Sequence, residues 1–531
     1  RHPNEAAIRA AFREQIDGLL EGGADLLVLE TFFDLGHLLL AVDEARQAGD
    51  VPVIASMTFG DDVVLADGTT PETAVVALTA AGVDAIGVNC GVGPLACLDA
   101  LVRFGAPGDD DPARSIMPNA GLPQRLDGQF IYAAEPPWFG SIVPRLLDAG
   151  ARIVGGCCGT TPGHIAAMRA ALDGRPIEAA GAPATVSGSS SPVPAASSVV
   201  SGAMPRTAFA EAAPTGVARP ERGSRLGHAL AMGRFVVSVE IDPPRSVRIE
   251  RTIEAARLLQ SSGVDLVNVS DSAMARVRMG ALAVAFGIQH DLDLECLVHT
   301  TTRDRNLMAL ESELLGAHAL GVRNILALTG DPPRIGDYPT GSGVWDVDSI
   351  GLIEILARLN RGEDQAGSPI GQQAAFTIAC ALDPTAADTA AEWDRLERKL
   401  AAGAHLIMTQ PLYDEAQVEA MLVESRRRFG AGGFPVPLLL GVLPLVSARH
   451  AEFLHNEVPG ITIPDATRAR MRDAGAAGTE AGIDMADVLL AAAEGDVAGT
   501  YLMPSFGRYE QAAELVRRIR ARHPVEAAVA S

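Results

Sequence analysis

Three cysteines stand where their thiols could act together. Cys90 closes the run GVNC, and Cys157 and Cys158 sit side by side in GGCCGTTP. Each run is strand-like up to its cysteine, so each cysteine is expected at the C-terminal end of a strand. In a parallel barrel those ends share one face, the face on which active sites are built. Three thiolates converging there suit zinc with an open fourth position, the catalytic rather than the structural arrangement. A substrate thiol entering that position would be held as thiolate near neutrality and so made nucleophilic. The alternative is that cytosolic cysteines are small buried hydrophobes, and Cys97, Cys296 and Cys380 are read that way. Further along, Glu240, His299, Asp331 and Gln410 each follow a strand-like run. Four polar groups at four strand ends form a catalytic-face pattern. Each also has a structural reading: Glu240 or Asp331 could cap a helix, and His299 could be a satisfied core histidine.

The elements that must position these groups are short apolar runs alternating with amphipathic stretches. In the second half, strands are expected to begin near Phe235, Asp265, Leu294, Asn324, Phe376, His405, Pro437 and Gly499. Runs this apolar and β-branched suit strands buried on both faces, and eight of them with intervening helices match a (β/α)8 barrel. A doubly wound sheet is the runner-up, although neither a Gly-x-Gly-x-x-Gly turn nor a Walker loop is present. The first half repeats the rhythm five times, from Leu26, Val51, Asp84, Arg114 and Arg152. An eight-unit count leaves three units missing upstream, whereas a Rossmann-like sheet could close with five. Between the halves, Ala179 to Pro205 is almost entirely Ala, Gly, Pro, Ser and Val without a charge. Such a segment buries too little apolar surface to offset its ordering entropy and reads as a flexible tether.

The 531 residues carry 43 basic and 66 acidic side chains, a net charge of −23. That balance argues against nucleic acid as a partner, because broad phosphate neutralisation needs the opposite sign. No run approaches the roughly 18 apolar residues of a membrane span. Six cysteines in so long a chain are no disulfide framework, and a cytoplasmic protein is expected. The chain opens at Arg1 inside a helical pattern, which suggests a fragment.

The runs GVNC and GGCCGTTPGHI, with ETFFDL at Glu30 and PNAGLP at Pro118, resemble the zinc-dependent homocysteine S-methyltransferase family. The resemblance implies Cys90, Cys157 and Cys158 as the zinc ligands. It places Glu30, with Asn89, on the side of the homocysteine substrate. Family members open with an Asp-Gly-Ala-Met-Gly-Thr strand, and nothing like it precedes Arg1. The resemblance therefore covers the later part of that domain.

Residues 226–531 resemble the methylenetetrahydrofolate reductase family through VEIDPPR, VHTTTRDRN, LTGDPP and MTQPLYD. The resemblance implies FAD on the barrel face, reduced by a nicotinamide and reoxidised by folate. Glu240 is then the general acid that opens the five-membered ring of the substrate, which requires burial to raise its pKa. Asp331 lies near the flavin and folate, and Gln410 orients the pterin. His299, Thr329, Gly330, Asp331 and Lys399 fall at flavin-contact positions, Lys399 serving phosphate as a point charge. The chain departs from some reductases in having Ile241 and Asp242 in place of an aromatic pair, Thr329 in place of Arg, and Asp383 in place of an aromatic.

The expected architecture is α/β: two (β/α)8 barrels, the first incomplete at about five of eight units. The methyltransferase-like part takes 1–173, the linker 174–225 and the reductase barrel 226–531. The expected function is bifunctional one-carbon chemistry. NAD(P)H and FAD reduce 5,10-methylenetetrahydrofolate to 5-methyltetrahydrofolate, and zinc-dependent methyl transfer to homocysteine gives methionine. No corrinoid-binding block is visible, so S-adenosylmethionine and S-methylmethionine stay open as donors. The alternatives are a reductase with an inert methyltransferase remnant, and a non-catalytic flavin- or folate-binding subunit. Exposed barrel helices could support a homo-oligomer.

Overall fold

In the first half, β1 (Leu27–Phe32), β2 (Val53–Met57), β3 (Ala85–Cys90) and β4 (Ala113–Pro118) pair in parallel in that order. A short antiparallel hairpin follows, β5 (Pro123–Leu126) with β6 (Gln129–Tyr132), and β7 (Ala151–Val154) then joins β4 to complete a five-stranded open sheet. This is the computed structural model of the chain, and it describes residues 5–524 except 61–62, 66–67, 92, 109–110, 127–128, 175–222, 334–335 and 339–340. The tether read at Ala179 to Pro205 lies outside the described residues.

The five strands are those expected from the sequence. Every residue of β2 is buried, as a strand covered on both faces should be. The register sets Cys90 at the end of β3 beside Pro118 at the end of β4. The β5–β6 hairpin goes beyond the expected elements.

The second half closes. Its strands are β8 (Val236–Ile241), β9 (Leu266–Val269), β10 (Cys296–Thr301), β11 (Asn324–Leu328), β12 (Thr377–Leu382), β13 (Leu406–Thr409), β14 (Leu438–Val442) and β15 (Gly499–Leu502). All pair in parallel with their sequence neighbours, and β15 pairs back onto β8. Side chains alternate between two cores. Val237, Val239 and Ile241 face the helices, while Val236, Leu266, Leu297, Leu326, Leu406, Met408 and Tyr501 fill the barrel interior. That period of two decides which polar residues look inward. Counting on from Val236, Ser238 and Glu240 point into the barrel; from Leu297, His299 does; from Met408, Gln410 does.

The lower end is plugged by the helix Arg225–Ala231, whose Leu226 and Ala229 join the interior core. Glu295 caps that helix by accepting from the Arg225 and Leu226 amides at 2.9 and 2.8 Å. One departure from the one-helix-per-unit expectation lies between β14 and β15. Three helices stand there, Ala448–Glu457, Asp465–Ala474 and Gly478–Ala493.

Candidate functional site

The first half gathers the three expected thiols. The sulfurs of Cys90, Cys157 and Cys158 all lie within 4.8 Å of one another, and those of Cys157 and Cys158 are 4.0 Å apart. Three thiolates on one tetrahedral zinc, each at about 2.3 Å, stand roughly 3.8 Å apart, so the donor set fits that ion. Cys90 takes a left-handed backbone at φ 61° to turn its sulfur in, and Thr31 at the end of β1 does the same at φ 65°. Non-glycine residues rarely accept that conformation, and it persists where surroundings over-determine it.

Those surroundings are a hydrogen-bond lattice centred on two asparagines. Asn89 donates to Glu30 at 3.2 Å and to Thr31 Oγ1 at 2.7 Å. Its side-chain oxygen accepts from the Thr31 amide at 3.0 Å and from Ser56 Oγ at 2.9 Å. Asn119 donates to the Gly91 carbonyl at 2.8 Å and accepts from the Cys158 amide at 2.9 Å, tying the two cysteine loops together. The expected Glu30 and Asn89 are therefore brought to the thiols. Asn119 and Tyr132 are additions to the expected site. Asn119 stands in PNAGLP as part of a motif only, and Tyr132 lies on the unforeseen hairpin.

The protons are unevenly shared. Hydrogen bonding from Cys90 holds the Cys157 thiol down at about 6. The same bond, with burial, pushes Cys90 far up, and burial also raises Cys158. Burial pushes the Tyr132 phenol up to about 12, so it stays a donor beside Cys158. One thiolate forms readily, and the other two need a cation to release their protons.

In the second half, the barrel mouth holds the expected polar residues. Glu240 sits on the last inward turn of β8, and burial, with the charge of Asp242 added, pushes its carboxyl up to about 8. His299 on β10 is buried; desolvation lowers it to about 4, so the ring is neutral. Its Nε2 has no hydrogen-bond partner among the described residues, so it is not the satisfied core histidine of the alternative reading. A buried polar atom without a partner costs free energy unless a ligand meets it. Gln410 is exposed just beyond β13.

Four other expected residues already have structural roles. Asp331 is exposed but accepts from the Met274 amide at 2.8 Å. Thr329 accepts from the Ser349 amide at 3.1 Å, while Gly330 turns the chain at φ 86°. Lys399 lies buried on the helix Thr389–Ala402, donating to the Ala381 carbonyl at 2.7 Å and facing Glu392 at 3.7 Å. It stands beneath the rim rather than on it.

The loop after β10 adds groups that the sequence reading does not anticipate. Asp271 accepts from the Thr301 amide and hydroxyl at 3.0 and 2.9 Å and pairs with Arg305 at 2.7 Å. The buried Arg303 donates to the Asp331 carbonyl at 2.9 Å and so fixes that loop. Both arginines sit in TTTRDRN, where two guanidiniums directly after a strand are the available signal.

Comparisons with known proteins divide the chain in the same place. Residues 2–172 match the family model for homocysteine S-methyltransferase, and residues 225–503 match that for methylenetetrahydrofolate reductase. Methionine synthase of Mycobacterium tuberculosis is 36% identical over 180 residues, which cover 32% of this chain and 15% of that protein. Betaine–homocysteine S-methyltransferase 1 of Xenopus laevis is 29% identical over 185 residues, 31% of this chain and 44% of that protein. The chain thus spans less than half the length of either. A homocysteine methyltransferase structure from Escherichia coli, in apo form, shares 29% identity, with a TM-score of 0.27, over 32% of this chain and 58% of that one.

Proposed function

Given that the chain belongs to the methylenetetrahydrofolate reductase family, we propose that its second barrel reduces 5,10-methylenetetrahydrofolate to 5-methyltetrahydrofolate with FAD and NAD(P)H. We propose too that its first half binds zinc and activates homocysteine for methylation to methionine. The observation that supports the reductase reading most is Glu240, a carboxyl held protonated at about 8 on the inward face of a closed barrel. In this reading Glu240 gives its proton to a folate ring nitrogen, and the ring opens to an iminium that can accept hydride. Gln410, two residues on from the inward Met408, offers an amide whose donor and acceptor can pair with the pterin edge. FAD supplies hydride, taken from the nicotinamide, and His299 Nε2, without a partner among the described residues, is a group it could satisfy. Arg303 holds the Asp331 backbone, so that loop is set before ligand arrives.

In the first half, Cys90, Cys157 and Cys158 would hold the zinc. Bound zinc supplies a Lewis acid at which a thiol loses its proton near neutrality. Glu30, fixed by Asn89, offers a carboxylate to the ammonium of an amino-acid substrate.

Visible absorbance of the purified full chain tests the reductase reading. A flavin spectrum, bleached by NADH or NADPH and restored by the folate substrate, is expected. No flavin absorbance with or without added FAD would overturn it.

A further inference from the structure

One carboxylate of the second barrel caps a helix of the first half. The helix Pro94–Phe104 begins at Gly93, which has no side chain to serve its free amides. The cap comes instead from Glu457, the last residue of the helix Ala448–Glu457, whose carboxylate accepts from the Leu95 amide at 3.1 Å. Capping bonds of this kind satisfy donors that the helix leaves open. The backbone carbonyl of Glu457 accepts from the Leu122 amide at 2.7 Å. Two turns earlier on the same helix, Arg449 pairs with Asp99 and donates to the Leu95 carbonyl at 3.3 Å. Phe453, between them, packs on the cores of both halves. Glu457 is completely buried by this contact, and burial pushes its carboxyl up to about 8 although the Leu95 amide pulls the other way.

The two loops so gripped are those that carry the thiol centre. Gly93 and Leu95 follow Cys90 directly. Leu122 follows Asn119, which bonds the Gly91 carbonyl and the Cys158 amide, and the Ala120 amide donates to the Cys158 carbonyl at 2.9 Å. The approach is close enough to exclude side chains. A Cβ on Gly121, at φ 82°, would meet the Glu457 Cα at 2.9 Å and its carbonyl oxygen at 3.0 Å.

We propose that Glu457 of the reductase barrel is a positioning residue for the metal centre of the first half. By capping the helix after Cys90 and gripping Leu122, it fixes the loops that hold the three sulfurs, so metal affinity in one half depends on docking of the other. The inference rests on the zinc reading above. Partners that orient metal ligands typically contribute about 10–100-fold to affinity.

Cobalt(II) titration of the full chain tests it, read through the thiolate-to-cobalt charge-transfer band with a competing chelator. The wild type should bind cobalt with that band, and Cys90→Ala should lose it. Glu457→Ala should weaken cobalt binding about tenfold, the low end of the outer-partner range. Glu457→Gln keeps an accepting oxygen and should retain wild-type affinity, whereas Glu457→Met fills the space without an acceptor and should weaken binding as Glu457→Ala does, which a merely space-filling role would not produce. Should Glu457→Ala fail to fold, Asp99→Lys serves: it should weaken binding, and adding Arg449→Glu should recover it. Wild-type affinity in Glu457→Ala or Asp99→Lys, with Cys90→Ala still inactive in binding, would overturn the positioning role and leave the metal site standing. No thiolate band in the wild type would overturn the zinc reading, and this inference with it.

Discussion

Replacing Glu240 with Gln should separate two properties that the half-buried carboxyl joins. Its pKa is raised from 4.5 to about 8, first by burial and then by Asp242. At pH 7 about nine in ten copies are therefore protonated and can act as an acid. The folded chain binds this proton more tightly than the unfolded chain does. Its contribution to stability is thus full below pH 4.5 and is lost as pH rises through about 8. By pH 7 the loss is on the order of 3 kcal/mol, because each pH step of one between those two values costs about 1.36 kcal/mol. Glutamine fills the same volume without a titrating group, so Glu240→Gln should abolish this slope and be more stable than wild type at pH 8. Denaturant melts at pH 5 and pH 8 measure that. The same substitution removes the proton donor. In stopped flow, reduction of the flavin by nicotinamide should be unchanged, while reoxidation by folate should slow about 10²–10⁴-fold. Wild-type reoxidation should itself decline as pH rises through about 8, since the acid form disappears. A variant that reoxidises normally, or gains no stability at pH 8, would refute the assignment of a neutral acid to Glu240.

Three further outcomes follow from the geometry. Cys90→Ala should reduce zinc, measured by elemental analysis, from about one per chain to near none, because three sulfur ligands become two; unchanged zinc would remove Cys90 from the donor set. Asp271→Ala leaves the buried Thr301 amide without its acceptor and takes one partner from the half-buried Arg305, which keeps Glu313 at 2.8 Å, and should cost about 1–3 kcal/mol in urea unfolding. Lys399→Met keeps the buried stem but removes the ammonium, and should lower flavin affinity about tenfold if that ammonium leaves Ala381 for the flavin phosphate. Equal flavin titrations of variant and wild type would confine Lys399 to its bonds with Ala381 and Glu392.

What could be read from the chain, and what could not, divides by the range of the interaction. Strand periodicity is local, and it locates all eight barrel strands and puts Glu240, His299 and Gln410 at strand ends, while their inward parity shows only against the packed interior core. Cys90, Cys157 and Cys158 are equally legible, because Cys90 closes β3, the cysteine pair stands in the loop just after β7, and parallel strands share an end. Lys399 was harder: a helix residue can reach the rim or bond the strand beneath it, and only packing decides between Ala381 and solvent. Glu457 had no signal at all. It ends an ordinary amphipathic helix, and nothing near it along the chain hints that Gly93 lacks a cap. The empty N-cap at Gly93 and the excluded Cβ at Gly121 make sense only with the second barrel in place. If Glu457 holds those loops as the contacts indicate, the three sulfurs encode the metal's identity locally, while its affinity is tuned by a residue 367 positions away from Cys90, in the closed barrel of the second half.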